Sequence, residues 1–249
     1  MAYLGILPAA AALVFAAAAN SPAEPLRRVV VDDGRASLAV PADWNQIPGE
    51  VLELFSLRAA ESSGGATAET YQYGFRPGDP GLSFALPQVL IQIRESGRLR
   101  YGQFLELPPL EVLRREGNRR VEERTGPLLS RLELEGAVFD RNSFSLWITT
   151  SFTLGPYGRV GVESVSFLTE RGLFTVHCYA HASRMEAMTP VFARIVDSVR
   201  FDEDTIYRPR MGDRWPPAPG IVALALAGFA AVVLLVYLMR RRTPRPAGP

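Results

Sequence analysis

Val160-Gly161-Val162-Glu163-Ser164-Val165-Ser166-Phe167-Leu168 and Leu173-Phe174-Thr175-Val176-His177-Cys178-Tyr179-Ala180 are two strand-like runs joined around Thr169-Glu170-Arg171-Gly172. Strands connected this tightly run antiparallel, because a parallel pair needs a crossover of roughly a dozen residues or more. The same pattern occurs just upstream, where residues 132–140 and 143–150 flank Arg141-Asn142, expected as a tight hairpin turn. The first three of these four runs are mixed in polarity, which leaves each a wet face or a face under a helix.

Working outward toward the C-terminus, residues 182–198 form the clearest helical pattern of the chain. Met188, Val191, Phe192, Ile195, Val196 and Val199 recur at three- and four-residue steps and make one apolar stripe. Thr189-Pro190 fits an N-cap followed by a first-turn proline. Arg200-Phe201 begins a final extended piece.

Toward the N-terminus, Val89-Leu90-Ile91-Gln92-Ile93-Arg94 is a strand, and residues 101–118 suit helix on either side of Pro108-Pro109. Residues 119–131 are charged and mixed. Residues 67–75, with Thr70, Tyr71, Tyr73 and Phe75, are expected as a strand that ends in a loop at Arg76-Pro77-Gly78-Asp79-Pro80-Gly81. Residues 50–60 suit a short helix before a Ser/Gly loop at 61–66. Val29-Val30-Val31 and Ala36-Ser37-Leu38-Ala39-Val40 are strand runs around Asp32-Asp33-Gly34-Arg35, where Asp-Gly marks a turn. Many antiparallel strands with few helices define an α+β domain, expected over residues 26–201. No fixed-period repeat interrupts it.

The two ends are apolar. Residues 220–239 carry no charge and no proline from Ile221 to Met239, and a helix of that length is roughly 28 Å long, close to a bilayer's hydrocarbon core. It is expected to be a transmembrane helix. Arg240, Arg241 and Arg242 follow it, which orients that end toward the cytoplasm, and Trp215 and Tyr237 fall where aromatic rings favour the headgroups. Residues 202–219 are proline-rich and are expected as a stalk; residues 240–249 are a basic cytoplasmic tail. Residues 1–19 are Ala/Leu-rich and resemble a signal peptide, or a retained signal anchor because no basic residue precedes the apolar run. Residues 20–25 are a linker. Either topology leaves the domain extracytoplasmic, on a single-pass membrane protein. A tail-anchored protein with a cytoplasmic domain would have to translocate the arginines.

The chain has 27 basic and 26 acidic side chains, so no long-range attraction to nucleic acid is expected. All its basic side chains are arginine. The single cysteine, Cys178, excludes an intramolecular disulfide framework and reads as a small buried apolar residue.

His177 and His181 are the only histidines. On a strand their α-carbons stand about 13 Å apart, too far for one tetrahedral metal ion, so no metal or other cofactor is expected. Alternation places His177, Tyr179 and His181 on one strand face. With Tyr71 and Tyr73 they are candidate binding residues. Arg94 and Arg98 are candidate anion or partner contacts. There is no Gly-x-Ser-x-Gly elbow and no phosphate loop around Gly155–Gly161, so no catalytic residue is assigned. The arginines between 114 and 131 alternate with glutamates and read as a solvated face.

Ala36-Ser37-Leu38-Ala39-Val40-Pro41-Ala42-Asp43-Trp44 resembles the early strand and Pro-x-x-Trp of PsbP-like domains. Phe192, Ile195, Ser198 and Phe201, within residues 189–201, resemble their closing helix and last strand. The resemblance implies an antiparallel sheet between helices, an α/β/α sandwich, and an accessory, protein-binding role without a shared catalytic centre. The chain is therefore expected to be a membrane-anchored binding or scaffold domain acting on an envelope protein partner. An extracytoplasmic enzyme or small-ligand receptor is the alternative, and signalling through the span is a third reading.

Overall fold

The structure is a computed structural model that describes residues 25–62, 70–79, 85–105, 107, 109–115, 129–154 and 158–214. The expected signal segment, the transmembrane stretch and its flanking Trp215, Tyr237, Arg240, Arg241 and Arg242 lie outside the described residues. Among those described, no helix is long and apolar enough to cross a membrane.

Strands β1 (Leu26–Val31) and β2 (Ala36–Pro41) form a hairpin, and β3 (Trp44–Gln46) follows. Helix α1 (Gly49–Ser62) precedes β4 (Tyr73–Pro77) and β5 (Gln88–Arg94). A 3-10 turn at Tyr101–Phe104 and a helix at residues 110–115 (α2) lead to β6 (Leu129–Asp140), β7 (Ser145–Leu154), β8 (Arg159–Leu168) and β9 (Leu173–His181). Helix α3 (Ala182–Asp197) and β10 (Arg200–Phe201) follow.

The strands make a seven-stranded sheet ordered β3-β4-β5-β9-β8-β7-β6 and a three-stranded sheet ordered β1-β2-β10. Every pairing is antiparallel. The large sheet is covered on both faces. On one, α3 and the small sheet bury Leu38, Val40, Val176, Cys178, Phe192 and Ile195. Phe201 of β10 sets its ring edge-on to Phe167 and Phe174, 5.8 and 5.3 Å away. On the other face, the 3-10 turn and α2 supply Phe104 and Leu113 to a cluster with Leu146, Ile148 and Tyr207. Helix α1 lies on this second face too: a Cβ on Gly74 would meet Leu52 of α1 and Leu90 of β5, at 3.1 and 2.9 Å.

The α+β class and the antiparallel core stand as expected, with helices on both faces. Several local expectations change. The first two strands do not join the main sheet; with β10 they form their own. The β6–β7 connection runs through residues 141–144 rather than Arg141-Asn142 alone, and Phe144 takes a positive φ of 48°. Of the strand expected over 67–75, residues 67–69 lie outside the described residues, residues 70–72 are not strand, and β4 runs from Tyr73 on through Arg76 and Pro77, because β3 pairs with both of these positions. Of residues 101–118, those described form a 3-10 turn at 101–104 and a helix at 110–115; residues 116–118 lie outside the described residues. Thr189-Pro190 does not start α3. His181 caps the helix, Pro190 sits inside it, and the Thr189 hydroxyl donates back to the Met185 carbonyl at 3.0 Å.

Residues 202–214, expected as stalk, belong to the domain. Ile206 bridges Thr169 on the main sheet's rim, the Glu170 N–H donates to the Thr205 carbonyl at 3.0 Å, and Thr205, Tyr207 and Asp213 are buried.

Candidate functional site

The second face of the large sheet carries polar side chains where a core would ordinarily be apolar. Alternation along β5 turns Gln88, Leu90 and Gln92 to this face. The β5–β9 register sets them opposite Tyr179, His177 and Thr175, and the β9–β8 register continues with Val162, Ser164 and Ser166. Gln88, Gln92, Ser164, Ser166, Thr175 and His177 are all buried.

His177 sits at the centre of this seam and is 4% exposed. Its Nδ1 is 2.9 Å from the Ser164 hydroxyl. Burial, with Arg94 adding to it, lowers its pKa to about 3, so the ring is neutral at physiological pH. Tyr71 meets the imidazole edge-on at 5.9 Å, and Tyr179 lies 6.2 Å from it between ring centroids. The Tyr71 backbone N–H donates to the Ser56 hydroxyl of α1 at 3.3 Å, tying this residue to the helix above the sheet.

Three of the expected binding residues, Tyr71, His177 and Tyr179, therefore come together. The others do not. Tyr73 packs against the opposite core, and its hydroxyl accepts the Asp32 N–H at 3.0 Å. His181 stands at the end of β9 as the cap position of α3, half-buried. Arg94, last in β5 and opposite Leu173, is part-exposed. Among the described residues, no group of three or more His, Cys, Asp or Glu could hold a metal ion. Cys178 faces the other core, where burial raises its thiol pKa well above the ordinary value, keeping it protonated and unreactive.

Arg98 is not an open anion contact. Its guanidinium forks onto the Asp213 carboxylate, with Nη1 donating to Oδ1 at 2.7 Å and Nη2 to Oδ2. It also donates through Nε to Glu170 at 2.9 Å and through Nη2 to the Arg208 carbonyl at 2.7 Å, and it lies 4.6 Å over the Tyr207 ring. Asp213 further accepts from the Tyr207 hydroxyl at 3.1 Å and the Arg210 N–H at 2.6 Å. The Arg98 hydrogen bond holds the Asp213 carboxyl well below the ordinary range, and burial pushes the Tyr207 phenol up to about 12. Gly102 closes the clasp: its N–H donates to the Asp213 carbonyl at 2.7 Å, and a Cβ there would stand 2.4 Å from the Arg214 carbonyl oxygen.

Sequence reasoning missed Gln88, Ser164, Glu170, Tyr207 and Asp213. The alternation of Gln88 and Gln92 within an otherwise apolar run was the available signal for the seam. No local signal marked the clasp.

No protein-family model matches the chain, and no curated protein matches its sequence. Solved structures of low identity do match it. The solution structure of cyanobacterial PsbP (CyanoP) from Synechocystis sp. PCC 6803 is 11% identical, with a TM-score of 0.46 over 75% of this chain and 99% of that one. The Ran-binding protein Mog1p of Saccharomyces cerevisiae is 8% identical, with a TM-score of 0.40 over 72% and 96%. LpqN of Mycobacterium tuberculosis, described as involved in cell envelope biogenesis, is 13% identical, with a TM-score of 0.33 over 70% and 90%. A PsbP structure is thus among those this chain resembles.

Proposed function

We propose that the chain is a membrane-tethered, extracytoplasmic binding domain that docks on or scaffolds an envelope protein partner, and that it acts by binding rather than by catalysis. The observation that carries this reading is the Arg98–Asp213 clasp. It fastens residues 202–214 to the domain, so only residues 215–219 separate this fastened segment from the apolar stretch. From Arg214 to Gly220 the chain spans at most about 20 Å. A domain held that close to a bilayer surface meets membrane-borne partners at high effective concentration. Ile206 and Met211, exposed at 46% and 98%, lie on the same segment and offer apolar contact at that end. The arginines after Met239 favour a cytoplasmic C-terminus and hence an extracytoplasmic domain. The balanced charge of the chain gives no support to nucleic acid as a partner.

The test is crosslinking in intact cells, followed by gentle solubilisation and capture through a tag placed after Pro249. One reproducible membrane or envelope protein, lost when residues 26–214 are deleted, is the expected outcome. Recovery of the chain alone, or of the same protein with the domain deleted, refutes a docking role for the domain.

A further inference from the structure

The seam contains polar atoms that the fold leaves without partners. Both amide atoms of Gln88, Oγ1 of Thr150 and Nε2 of His177 are buried and meet no hydrogen-bond acceptor or donor among the described residues. Gln88 is wholly buried, and Thr150 and His177 are 2% and 4% exposed. The register sets them on one face, with Thr150 three strand spacings, roughly 14 Å, from Gln88. Gln88 lies opposite Tyr179, Tyr179 opposite Val162, and Val162 opposite Thr150, one row across β5, β9, β8 and β7. His177 stands in the adjacent row, between Leu90 and Ser164. It is a diagonal neighbour of Gln88, at about 7–8 Å between backbones.

Protein interiors pair nearly all such groups, because an unpaired buried donor or acceptor destabilises the fold. Orphaned atoms on one face of three of these four strands therefore call for an occupant. We propose that this seam is a closed binding site for a small, uncharged, planar ligand with a lactam- or carboxamide-type edge. A Gln side chain presents one acceptor and one donor group side by side, the complement of that edge. The neutral His177, fixed through its Nδ1 by Ser164, adds a third polar point. The two rows hold Gln88, Tyr179, Val162, Thr150, Leu90, His177, Ser164 and Ile148, none of them charged, and Arg94, whose charge His177 senses, stands two same-face positions beyond Leu90 at the part-exposed end of β5. Tyr71 and Tyr179 supply flat walls beside the imidazole. Tyr71, which covers His177 and is hydrogen-bonded to α1 through Ser56, must yield for entry. This site is independent of the docking role: capture of a membrane partner neither requires nor excludes it.

The test uses the full-length chain with 2-pyrrolidone, benzamide and uracil as probes, followed through the Gln88 side-chain amide and His177 ring resonances. At least one probe is expected to shift both sets of signals saturably, and Gln88→Leu to weaken that binding roughly tenfold or more. Without any probe, Gln88→Leu is expected to melt as high as the wild type or about 2–4 °C above it, because it removes unpaired polar atoms from the interior. Two results overturn the proposal. One is a Gln88→Leu variant that melts lower without ligand, which means the amide is satisfied inside the fold, by a buried water for example. The other is the absence of any probe-dependent shift at Gln88 and His177.

Discussion

Replacing Arg98 with Met tests the clasp most directly. The Arg98 side chain is 16% exposed and the Asp213 side chain 4%, so the pair is mostly out of water. Met retains much of the apolar stem, which limits the change to the lost charge and hydrogen bonds. Among the described residues, Asp213 then keeps the Tyr207 hydroxyl and the Arg210 N–H as hydrogen-bond donors and loses its guanidinium partner. Breaking a buried pair on one side costs about 3–5 kcal/mol; the partial exposure of Arg98 places this case near about 3 kcal/mol. For a domain of this size the melting midpoint falls by roughly 6–12 °C. Calorimetry gives that number, and limited trypsin digestion shows its location, since Arg210 and Arg214 become cleavable when the segment lifts. The pH dependence has a definite sign. The folded pKa of Asp213 is depressed from its ordinary 3.8. Its stabilising contribution is thus complete above that value and is lost as pH falls through the folded pKa. Arg98→Met therefore differs most from the wild type at neutral pH, and the gap narrows in acid. A midpoint drop below about 2 °C at neutral pH, with unchanged proteolysis, would refute the clasp as the element that holds this segment.

Three further outcomes follow from the same geometry. Gly102→Ala forces a Cβ to within 2.4 Å of the Arg214 carbonyl and is expected to lose about 1–3 kcal/mol, with the trypsin pattern of Arg98→Met. Burial raises the pKa of Glu163, against the opposing hydrogen bond from Thr189, so its ionisation is penalised in the fold as pH rises from about 4.5 through the folded value. Glu163→Gln should accordingly have a higher urea midpoint than the wild type at pH 7, with the advantage gone at pH 4. Phe192→Ala empties a wholly buried position between α3 and the sheet and is expected to cost about 3–5 kcal/mol in denaturant unfolding without altering the seam on the other face.

The parts of the fold that were legible in the sequence are those with a short-range cause. Strands β8 and β9 show as apolar-rich runs around a turn, and β9 is buried on both faces from Leu173 to Ala180. The stripe from Phe192 to Val199 has helical spacing and is buried as that spacing requires. Pro190 misled because a proline reports only its own fixed φ and missing N–H, and an established helix can carry it where the lost bond is tolerated. The small sheet was not legible, since β10 reaches β2 from the far end of the domain. The clasp was still less so. Arg98 and Asp213 are 115 residues apart, and Asp213 stands in a proline-flanked stretch with the composition of a linker. Tyr71, His177 and Tyr179 could be singled out by residue type. Their convergence with Gln88 could not, because β5 pairs with β9 and skips three intervening strands.

That strand order links the two features most relevant to function. β5 starts at Gln88, in the seam, and its unbroken register with β9 runs to Arg94 opposite Leu173. Just beyond, Gly172 approaches so closely that a Cβ would stand 2.0 Å from the Arg94 carbonyl oxygen, and its φ of +150° excludes most other residues. The turn from Thr169 to Gly172 is therefore packed onto the end of β5 by backbone. It also carries Glu170, which receives Arg98. The clasp thus rests on a turn that is packed against β5 by backbone contacts not involving Asp213. Losing the Arg98–Asp213 pair should free residues 202–214 and leave the β5–β9 ladder intact, with His177 still shielded by Tyr71. In the Arg98→Met variant, exchange of backbone amides in β5 and β9 should stay as slow, relative to global unfolding, as in the wild type, while those after Asp202 quicken. Loss of protection in the ladder as well would mean that the returning segment helps to build the sheet rather than resting on it.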